Sequence, residues 1–369
     1  MTLLQLDILN YKNIRQASLA FSPRLNCLVG DNGAGKTNVL DAIHFLAFTR
    51  SATHAPDACV LTHGEEQMML AATVNLQEPT DEAAVPEERI SCSLQAGGRK
   101  VFRRGQKAYK RMSEHIGLLP LILVSPDDTT LLRGPGEGRR RMMDMAISQS
   151  QPAYIAWLNQ YNRALQQRNA LLRDEQHPPT VDLLEPYEIV MAETGEQIFA
   201  AREAYFTALE PLFTDFYTRI AESHEQPSLT LESHCRRGPL LEVIQRDRAK
   251  DLAVGYSLHG IHRDDLLMQL SGFPAGREGS QGQGKTYVLA LRLAQHALLA
   301  KNGRQPLLLL DDIFDKLDAH RVQRLVHIVS QPCFGQIFLT DTNRQHIDGI
   351  VQAAATDYRL FHVSNGQID

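Results

Sequence analysis

A glycine loop near the N-terminus is the feature that most constrains how this chain can fold. Residues 30–37 read Gly-Asp-Asn-Gly-Ala-Gly-Lys-Thr and fit the pattern G-x-x-x-x-G-K-[ST]. The strand-like run LNCLV precedes the loop, and the apolar, helix-periodic run NVLDAIHFLAF follows it. A buried strand, a glycine turn and a helix, in that order, surround a phosphate with backbone N–H groups. The sequence therefore predicts a β-loop-α unit within an α/β fold.

A second stretch, Gly279 to Thr286, matches the same pattern in a poorer context. The residues before it, SGFPAGRE, contain a proline, glycines and charges, so they do not read as a buried strand. We therefore interpret this second match as a chance match to the pattern that does not form a phosphate loop. It does precede the helical run YVLALRLAQHALLA, and the N-terminus of a helix favours an anion.

The apolar run Leu307 to Leu310 ends in two carboxylates, Asp311 and Asp312. In such an arrangement the first carboxylate can hold Mg²⁺ and the second can orient or deprotonate an attacking water. An acidic strand end turned to solvent is an equally common alternative for such a pair alone, but not beside a phosphate loop. We therefore predict Lys36, Asp311 and Asp312 as catalytic residues, and Thr37 and Asp311 as the Mg²⁺ ligands.

Composition narrows the class of protein further. The chain has 369 residues, a hydrophobic fraction of 43% and a net charge of −5, so it is globular, larger than a usual single domain, and without a global positive field. Its 5 cysteines are scattered and form no C-x-x-C pair, which favours a reducing compartment. With no secretion signal or long apolar run in view, we expect a cytoplasmic protein with no membrane partner.

Three segments differ in their patterning. Residues 1–133 combine the glycine loop with short β-like runs, and residues 134–250 are mostly helical, with a break at Pro178 and Pro179. Residues 251–369 alternate strands with helices, which is typical of a parallel sheet. We predict a head formed by the first and third segments and a helical arm domain inserted between them.

The order of the motifs resembles that of the ATP-binding-cassette ATPases. Ser280-Gln281-Gly282-Gln283 stands in the place of the signature, Asp315-Lys316-Leu317-Asp318 in that of the D-loop, and Asp341 in that of the switch. In that family the signature of one subunit contacts the γ-phosphate held by the other, which implies an ATP-dependent homodimer. Transporters usually carry a switch histidine and a Q-loop glutamine. Here the switch position carries Asp341 instead of histidine, and residues 125–128 contain no glutamine. A transporter subunit is therefore the weaker alternative. A non-hydrolysing ATP-binding scaffold is a further alternative.

Within that class the chain resembles the RecF family of bacterial recombination-mediator ATPases, which are related to chromosome-maintenance heads. The likeness rests on NYKNI, GDNGAGKTNVLDAIHFL, VSPDD, GRRRMMD, GIHRDDL, SQGQGKTYVLALRLAQ and LLLLDDIFDKLD. Gly284 and the pair Phe314 and Asp315 depart from the residues expected there. The resemblance implies a cassette-type head with an inserted arm, and a weak, DNA-stimulated ATPase that closes as a dimer on gapped duplexes or single-strand/double-strand junctions. It also implies a RecR-like mediator as partner and, indirectly, RecA.

The loop and the resemblance together predict the residues that contact ATP. They are Lys12, Asn13, Gly30, Asp31, Asn32, Gly33, Ala34, Gly35, Lys36, Thr37, Asn38, Ser280, Gln281, Gly282, Gln283 and Asp318.

A basic stretch, RKVFRRGQKAYKR at residues 99–111, contains no acid and carries two aromatic residues. Cations along hairpin strands suit phosphate contacts, although such a run alone is more often a solvated face. In the ATPase context we predict DNA contacts from this stretch and from the GRRR segment. They are Lys100, Arg103, Arg104, Lys107, Lys110, Arg111, Arg139 and Arg140. His262 and Arg263 are further candidates for DNA or γ-phosphate.

Overall fold

A computed structural model describes residues 1–53, 55–76, 86–174, 176–221, 225–301, 303–314, 318–354 and 357–369. The chain divides into two compact units. The first comprises Met1–Asp128, Phe216–Glu222 and Val288–Asp369, and the second comprises Thr129–Asp215 and Ser223–Tyr287.

The strands, in chain order, are β1 Thr2–Tyr11, β2 Ile14–Ala20, β3 Leu25–Val29, β4 Gln67–Asn75, β5 Glu87–Gln95, β6 Val101–Arg104, β7 Lys107–Ala108, β8 Leu121–Val124, β9 Pro227–Glu232, β10 Asp265–Leu270, β11 Phe273–Pro274, β12 Leu307–Leu310, β13 Ile337–Asp341, β14 Tyr358–Ser364 and β15 Gln367–Ile368. The helices are α1 Lys36–Phe48, α2 Thr130–Arg133, α3 Gly136–Ser150, α4 Pro152–Leu172, α5 Val181–Ala221, α6 Leu240–Arg246, α7 Arg248–Val254, α8 Ala275–Glu278, α9 Gln281–Ala300, α10 Ala319–Val329 and α11 Arg344–Ala354.

A mostly parallel sheet forms the base of the site in the first unit. Its strand order is β15-β14-β3-β13-β12-β8, and only the terminal β15 pairs antiparallel. Every residue of β3, β12 and β13 is buried, as is typical of strands covered on both faces. Because β3, β12 and β13 are parallel neighbours, their carboxyl ends meet at one edge of the sheet. That edge carries the glycine loop, Asp311 and Asp341.

An antiparallel sheet with the order β2-β1-β4-β5-β6-β7 forms the β-rich part of the same unit. Its inner face is apolar, and one row across it consists of Ile8, Leu70, Cys92 and Phe102, none more than 2% exposed. The residues between them on each strand point to the other face. This alternation is the period-2 pattern of a sheet with one buried side.

The second unit combines helices with the small sheet β11-β10-β9. Tyr154, Tyr161, Met191 and Ile244 are among the fully buried residues of its core. Helices α4 and α5 are separated at the segment that contains Pro178 and Pro179, where the sequence predicted a break.

Two arginines of the second unit are buried, and carboxylates compensate both. Arg168 pairs with Glu188 at 3.0 Å and with Asp251 at 2.7 Å. Arg202 pairs with Asp264 at 2.7 Å and with Asp144 at 2.8 Å. Since a buried charge is tolerated only with such partners, these pairs tie α3, α4, α5 and α7 to one another and to the start of β10.

The compact units have different limits from the domains that the sequence suggested. The predicted arm ended at residue 250, whereas the second unit extends to Tyr287. The physical reason is the ladder between β9 and β10, in which Asp265 pairs with Glu232 and Leu270 with Pro227. Residues on both sides of position 250 therefore belong to one sheet. The division into head and arm domains stays a prediction.

Within the described residues, no helix combines the length and the apolar character needed to cross a membrane.

Candidate active site

The glycine loop joins β3 to α1, and close packing explains its glycines. A Cβ atom on Gly30 would lie 2.1 Å from the carbonyl oxygen of Val363, and one on Gly35 would lie 2.9 Å from Oδ1 of Asn13. Gly33 and Gly35 also have φ angles of 78° and 120°, in the region that favours glycine. The exposed tip, Asp31 to Gly33, is closed by a hydrogen bond from Ala34 N to Asp31 O.

The side chain of Lys36 lies across this loop, and the residue is only 3% exposed to solvent. Its Nζ donates to the carbonyl oxygens of Gly30 at 2.8 Å and of Asp31 at 3.0 Å. The ammonium is therefore held at the concave side of a loop whose helix begins at the same residue. Helix N-termini and glycine loops of this kind bind phosphate oxygens.

The carboxylate of Asp311 accepts two hydroxyl hydrogen bonds at the adjacent strand end. Thr37 Oγ1 donates to Asp311 Oδ1 at 2.9 Å, and Thr340 Oγ1 donates to the same oxygen at 2.7 Å. Burial raises the pKa of Asp311 above its ordinary value, as does the nearby Asp312 charge, although the hydroxyls and Lys36 act in the opposite direction. The hydroxyl oxygen of Thr37 and the carboxylate oxygen of Asp311 are hard oxygen ligands of the kind that Mg²⁺ prefers.

Asp312 has an unusual backbone for a residue with a side chain. Its φ angle is 42°, and its N–H donates to Thr340 Oγ1 at 2.9 Å. Backbone strain of this kind is most often found at functional sites. Thr340 thus contacts both residues of the acidic pair, a role that only the neighbouring strand β13 makes visible. The residues present at this edge fit ATP and Mg²⁺: a phosphate-wrapping loop, a lysine, and a hydroxyl-carboxylate pair.

Asn13 and Asn38 support the loop from its outer side. Asn13 Nδ2 donates to Ala34 O at 3.2 Å, and Asn38 Nδ2 donates to Asn13 Oδ1 at 2.7 Å. The N–H of Gly366, in the β14–β15 turn, also donates to Ala34 O at 2.8 Å. Of the three asparagines predicted to contact nucleotide, Asn13 and Asn38 therefore bond to each other, and Asn13 bonds to the loop.

Lys12 is engaged with a buried carboxylate rather than with the loop. Its Nζ lies 2.5 Å from Asp41 Oδ2, and Tyr11 and Ser51 donate hydroxyl hydrogen bonds to the same carboxylate. Burial acts to raise the pKa of Asp41, but Lys12, the Tyr11 hydroxyl and the backbone N–H of Ala52 hold it below its ordinary value. This network fixes the β1–β2 turn, and with it the neighbouring Asn13.

The switch position carries a carboxylate paired with a histidine that the sequence analysis did not single out. Asp341 Oδ2 lies 3.1 Å from Nδ1 of His346, in the first turn of α11, and the His346 side chain is 45% exposed. Its ring centroid lies 6.4 Å from that of Phe314, one of the departures from the family pattern. A histidine five positions beyond a strand end is a weak signal in a sequence alone.

The signature segment forms the start of α9, within the second unit. Ser280 N donates to Gln283 Oε1 at 2.6 Å, and Gln283 N donates to Ser280 Oγ at 3.2 Å. This reciprocal pair is a capping box. Gln281 and Gly282 lie in the first helical turn.

Gly284 and Lys285 follow the signature within α9. A Cβ on Gly284 would approach Leu132 Cδ1 to 3.1 Å, so a bulkier residue would press on that side chain. Lys285 lies inside α9, which follows the short helix α8 rather than a strand.

Of the D-loop, only Asp318 lies within the described residues. Its side chain caps α10 by accepting from Arg321 N at 2.9 Å. Residues 315–317, which the sequence analysis also assigned to the D-loop, lie outside the described residues.

Ion pairs divide the cations predicted to contact DNA into two groups. Lys100 pairs with Asp57, Arg104 with Glu88, Arg111 with Glu114, and Arg139 with Asp265, while Arg140 donates to Asp264 O. Three of the cations predicted to contact DNA are exposed and have no ion pair anywhere in the described ranges. They are Arg103, Lys107 and Lys110.

His262 has internal partners as well. Its Nδ1 lies 2.7 Å from Tyr161 OH and its Nε2 lies 3.0 Å from Ser257 O. Burial lowers its pKa to about 4. It is therefore a neutral, internally bonded side chain, whereas Arg263 is exposed with its guanidinium 5.3 Å from the Tyr256 ring centre.

Comparison with known proteins identifies the family. The family model described as RecF/RecN/SMC N terminal domain matches residues 2–368. A protein of Bacteroides fragilis named DNA replication and repair protein RecF is 47% identical over 370 residues, covering 100% of this chain and 98% of that protein. The protein of the same name from Porphyromonas gingivalis is 44% identical, with 99% and 98% covered. This chain belongs to the RecF family.

Solved structures agree with that assignment. A structure of the recombination mediator protein RecF with ATPrS matches with a TM-score of 0.86 and 26% identity, covering 100% of this chain and 97% of that one. An Smc head domain from Pyrococcus furiosus matches with a TM-score of 0.58 and 18% identity, covering 100% and 95%, and shows a likeness of fold alone. The predicted α/β class with a cassette-type head is confirmed, as is the RecF resemblance drawn from the motifs.

Proposed function

We propose that this RecF-family chain binds and hydrolyses ATP and acts on DNA in replication and recombinational repair. The observation that carries the proposal is the contact of Thr37 with Asp311 beside the glycine loop that holds Lys36. The relatives are named DNA replication and repair protein RecF, and two solved RecF structures, assigned to the RecFOR pathway, contain ATPrS or ATP.

The roles of the site residues follow from their positions. Lys36 would contact β- and γ-phosphate oxygens, and Thr37 and Asp311 would hold the metal. Bound Mg²⁺ supplies positive charge where phosphoryl transfer builds negative charge. Asp312 would orient the attacking water or accept its proton. Hydrolysis is proposed to be weak and stimulated by DNA.

Assembly would follow from the signature. If Ser280 to Gln283 of one chain contact ATP held by a second, two chains must close on two nucleotides. The protein would then be an ATP-timed clamp at gapped duplexes or single-strand/double-strand junctions in the cytoplasm. A RecR-like mediator and, indirectly, RecA are the proposed partners, in line with the pathway named for the solved RecF structures.

The DNA contacts are proposed first for Arg103, Lys107 and Lys110, which form no ion pair with any carboxylate that the structure describes. Lys100, Arg104, Arg111, Arg139 and Arg140 would have to exchange an internal partner for a phosphate, which makes them weaker contributors.

The two glycine loops allow a matched test of the ATP site. Lys36→Met removes a charged donor from the phosphate loop and should weaken ATP binding about 10- to 100-fold in equilibrium dialysis. Lys285→Met makes the same chemical change inside α9 and should leave the affinity of the isolated chain within about threefold. The reverse result would contradict the site assignment, and ATP binding without turnover in the wild type would indicate a scaffold.

A further inference from the structure

The outer face of the antiparallel sheet carries a row of three apolar side chains and one serine that the proposed ATP site does not use. Leu9 pairs with Met69, Met69 with Ser93, and Ser93 with Val101, so these four side chains lie side by side across four strands. Met69 is 40% exposed, which is high for a large apolar residue. Because side chains alternate along a strand, this row faces away from the buried row that contains Leu70 and Phe102.

A shallow cavity of about 370 Å³ lies over this row. Leu9, Met69 and Val101 give it an apolar floor, and Gln67, Gln95 and Arg99 contribute to its polar rim. In the described part of the chain, the side-chain amides of the two glutamines make no hydrogen bond. The volume is near the lower end of ligand-binding pockets, which suits one small planar group rather than a helix.

Unbalanced positive charge borders the cavity. Arg99 is exposed and has no ion pair among the described residues, and Arg103 projects from the same face two positions beyond Val101. The carboxylate of Asp7, on the next row, is occupied by Arg89 at 3.3 Å and by Ser18 at 2.8 Å. An anion approaching the rim therefore meets two guanidinium groups that no carboxylate in the described ranges pairs with.

We propose that this cavity binds one unpaired nucleotide of single-stranded DNA. The base would lie on Met69 and Val101, the amides of Gln67 and Gln95 would bond its exposed edge, and Arg99 and Arg103 would contact the flanking phosphates. Proteins hold single strands without strong sequence preference by combining stacking surfaces for the bases, usually aromatic, with cations along the backbone. Here the apolar side chains of Met69 and Val101 would take the place of the aromatic surface. The inference rests on the proposed DNA-binding function and refines it.

The cavity gives the protein a means to distinguish single strands from duplex. A base in a duplex is stacked and paired, so it cannot enter the cavity, and a duplex can use only the phosphate contacts. Lys107 and Lys110 follow Arg103 in the same basic stretch. A duplex contact next to a cavity for an unpaired nucleotide would favour a junction over either form of DNA alone.

A pair of charge-matched variants on β4 tests the proposal. Met69→Glu places a carboxylate on the cavity floor, and Thr73→Glu places the same charge on the same strand and face but outside the cavity. Both positions are accessible to solvent, and thermal unfolding would verify that each variant folds. Fluorescence anisotropy with a labelled oligothymidylate, a blunt duplex and a gapped duplex, in the presence of a non-hydrolysable ATP analogue, gives the three affinities.

Met69→Glu should weaken binding of the oligothymidylate and the gapped duplex at least about tenfold and leave the blunt duplex within about threefold. Thr73→Glu should change all three by less than about threefold. Met69→Leu should retain wild-type binding, and Arg99→Gln should weaken the single-stranded probe selectively.

Equal effects of Met69→Glu and Thr73→Glu on the single-stranded probe would overturn the cavity proposal while leaving the DNA-binding function intact. A wild-type chain that binds none of the three probes would instead overturn the proposed function itself. Photocrosslinking of a 4-thiothymidine oligonucleotide gives an independent readout. Adducts should map to residues 67–69 or 93–101, and adducts confined to other segments would contradict the proposal.

Discussion

The hydroxyl of Thr340 lies between the two acidic residues that follow β12. It donates to Asp311 Oδ1 and accepts from the N–H of Asp312, at 2.7 and 2.9 Å. A single side chain on a neighbouring strand thus orients the proposed metal ligand and holds the unusual backbone of the proposed water-orienting residue. Supporting groups of this kind commonly matter as much as the ligands that they orient.

Replacing Thr340 separates its positioning role from simple packing. Thr340→Val keeps the shape but removes both hydrogen bonds, so we expect ATP turnover to fall about 10- to 100-fold. ATP affinity, which depends mainly on the loop and Lys36, should change far less. Thr340→Ser retains the hydroxyl and should restore most of the turnover. An equal loss of turnover in both variants would show that the methyl packing, not the hydrogen bonds, is what matters.

At this scale the sequence predicts residues whose partners are close along the chain. Lys36 and Thr37 belong to one short loop pattern, and Asp311 follows an apolar run, so their types and spacing are sufficient. Thr340 and His346 become recognisable only when β12 and β13 are known to be parallel neighbours. The sequence supplies no spacing that connects either residue to the site.

The basic strand β6 and its short partner β7 show that a run of cations in the sequence does not reveal which of them are paired with carboxylates on a neighbouring strand. All the charged residues of 99–111 are cations, but β5 lies beside them, and its Glu88 pairs with Arg104. That pairing depends on strand register, which a linear sequence does not specify. The S-x-x-Q capping box at Ser280 is the opposite case, because its pattern is local and readable in the sequence.

The salt dependence of duplex binding should follow the unpaired cations rather than the total charge. Arg103→Ala with Lys107→Ala removes two exposed charges and should lower the slope of log affinity against log salt by up to about two units. The matched control, Glu88→Ala with Arg104→Ala, removes a cation together with its partner and leaves the net charge unchanged. It should retain the wild-type slope. A flattened slope in the control and not in the first variant would assign the DNA contact to Arg104.

On the scale of the whole molecule, the RecF-family fold was predictable because its motifs retain their order along the chain. The limits of the compact units were harder to predict from the sequence. The second unit is completed by a ladder between β9 and β10, whose strands begin 38 positions apart, from Pro227 to Asp265. The pairing of β9 with β10 depends on strand register, which the sequence does not specify, so nothing in the sequence marks residues 251–287 as belonging with the helices before them.

In our proposal the signature controls ATP-driven dimerisation of the whole molecule. Because Ser280 also caps α9, a variant that tests this role must retain the helix cap. Ser280→Arg would add bulk but would also remove the helix cap, so a failure to dimerise could reflect damage to α9. Ser280→Asp keeps a favourable capping residue and places a negative charge where a partner's γ-phosphate would lie.

We therefore expect Ser280→Asp to bind ATP within about threefold of wild type, because aspartate retains the helix cap. Its ATP-dependent dimer should be at least about a hundredfold weaker in sedimentation velocity experiments, because juxtaposed like charges cost several kcal/mol. Ser280→Thr, which retains both the cap and a hydroxyl, should dimerise almost normally. If Ser280→Asp dimerises with ATP as the wild type does, the signature does not contact the partner's nucleotide, and closure must depend on another surface of the chain.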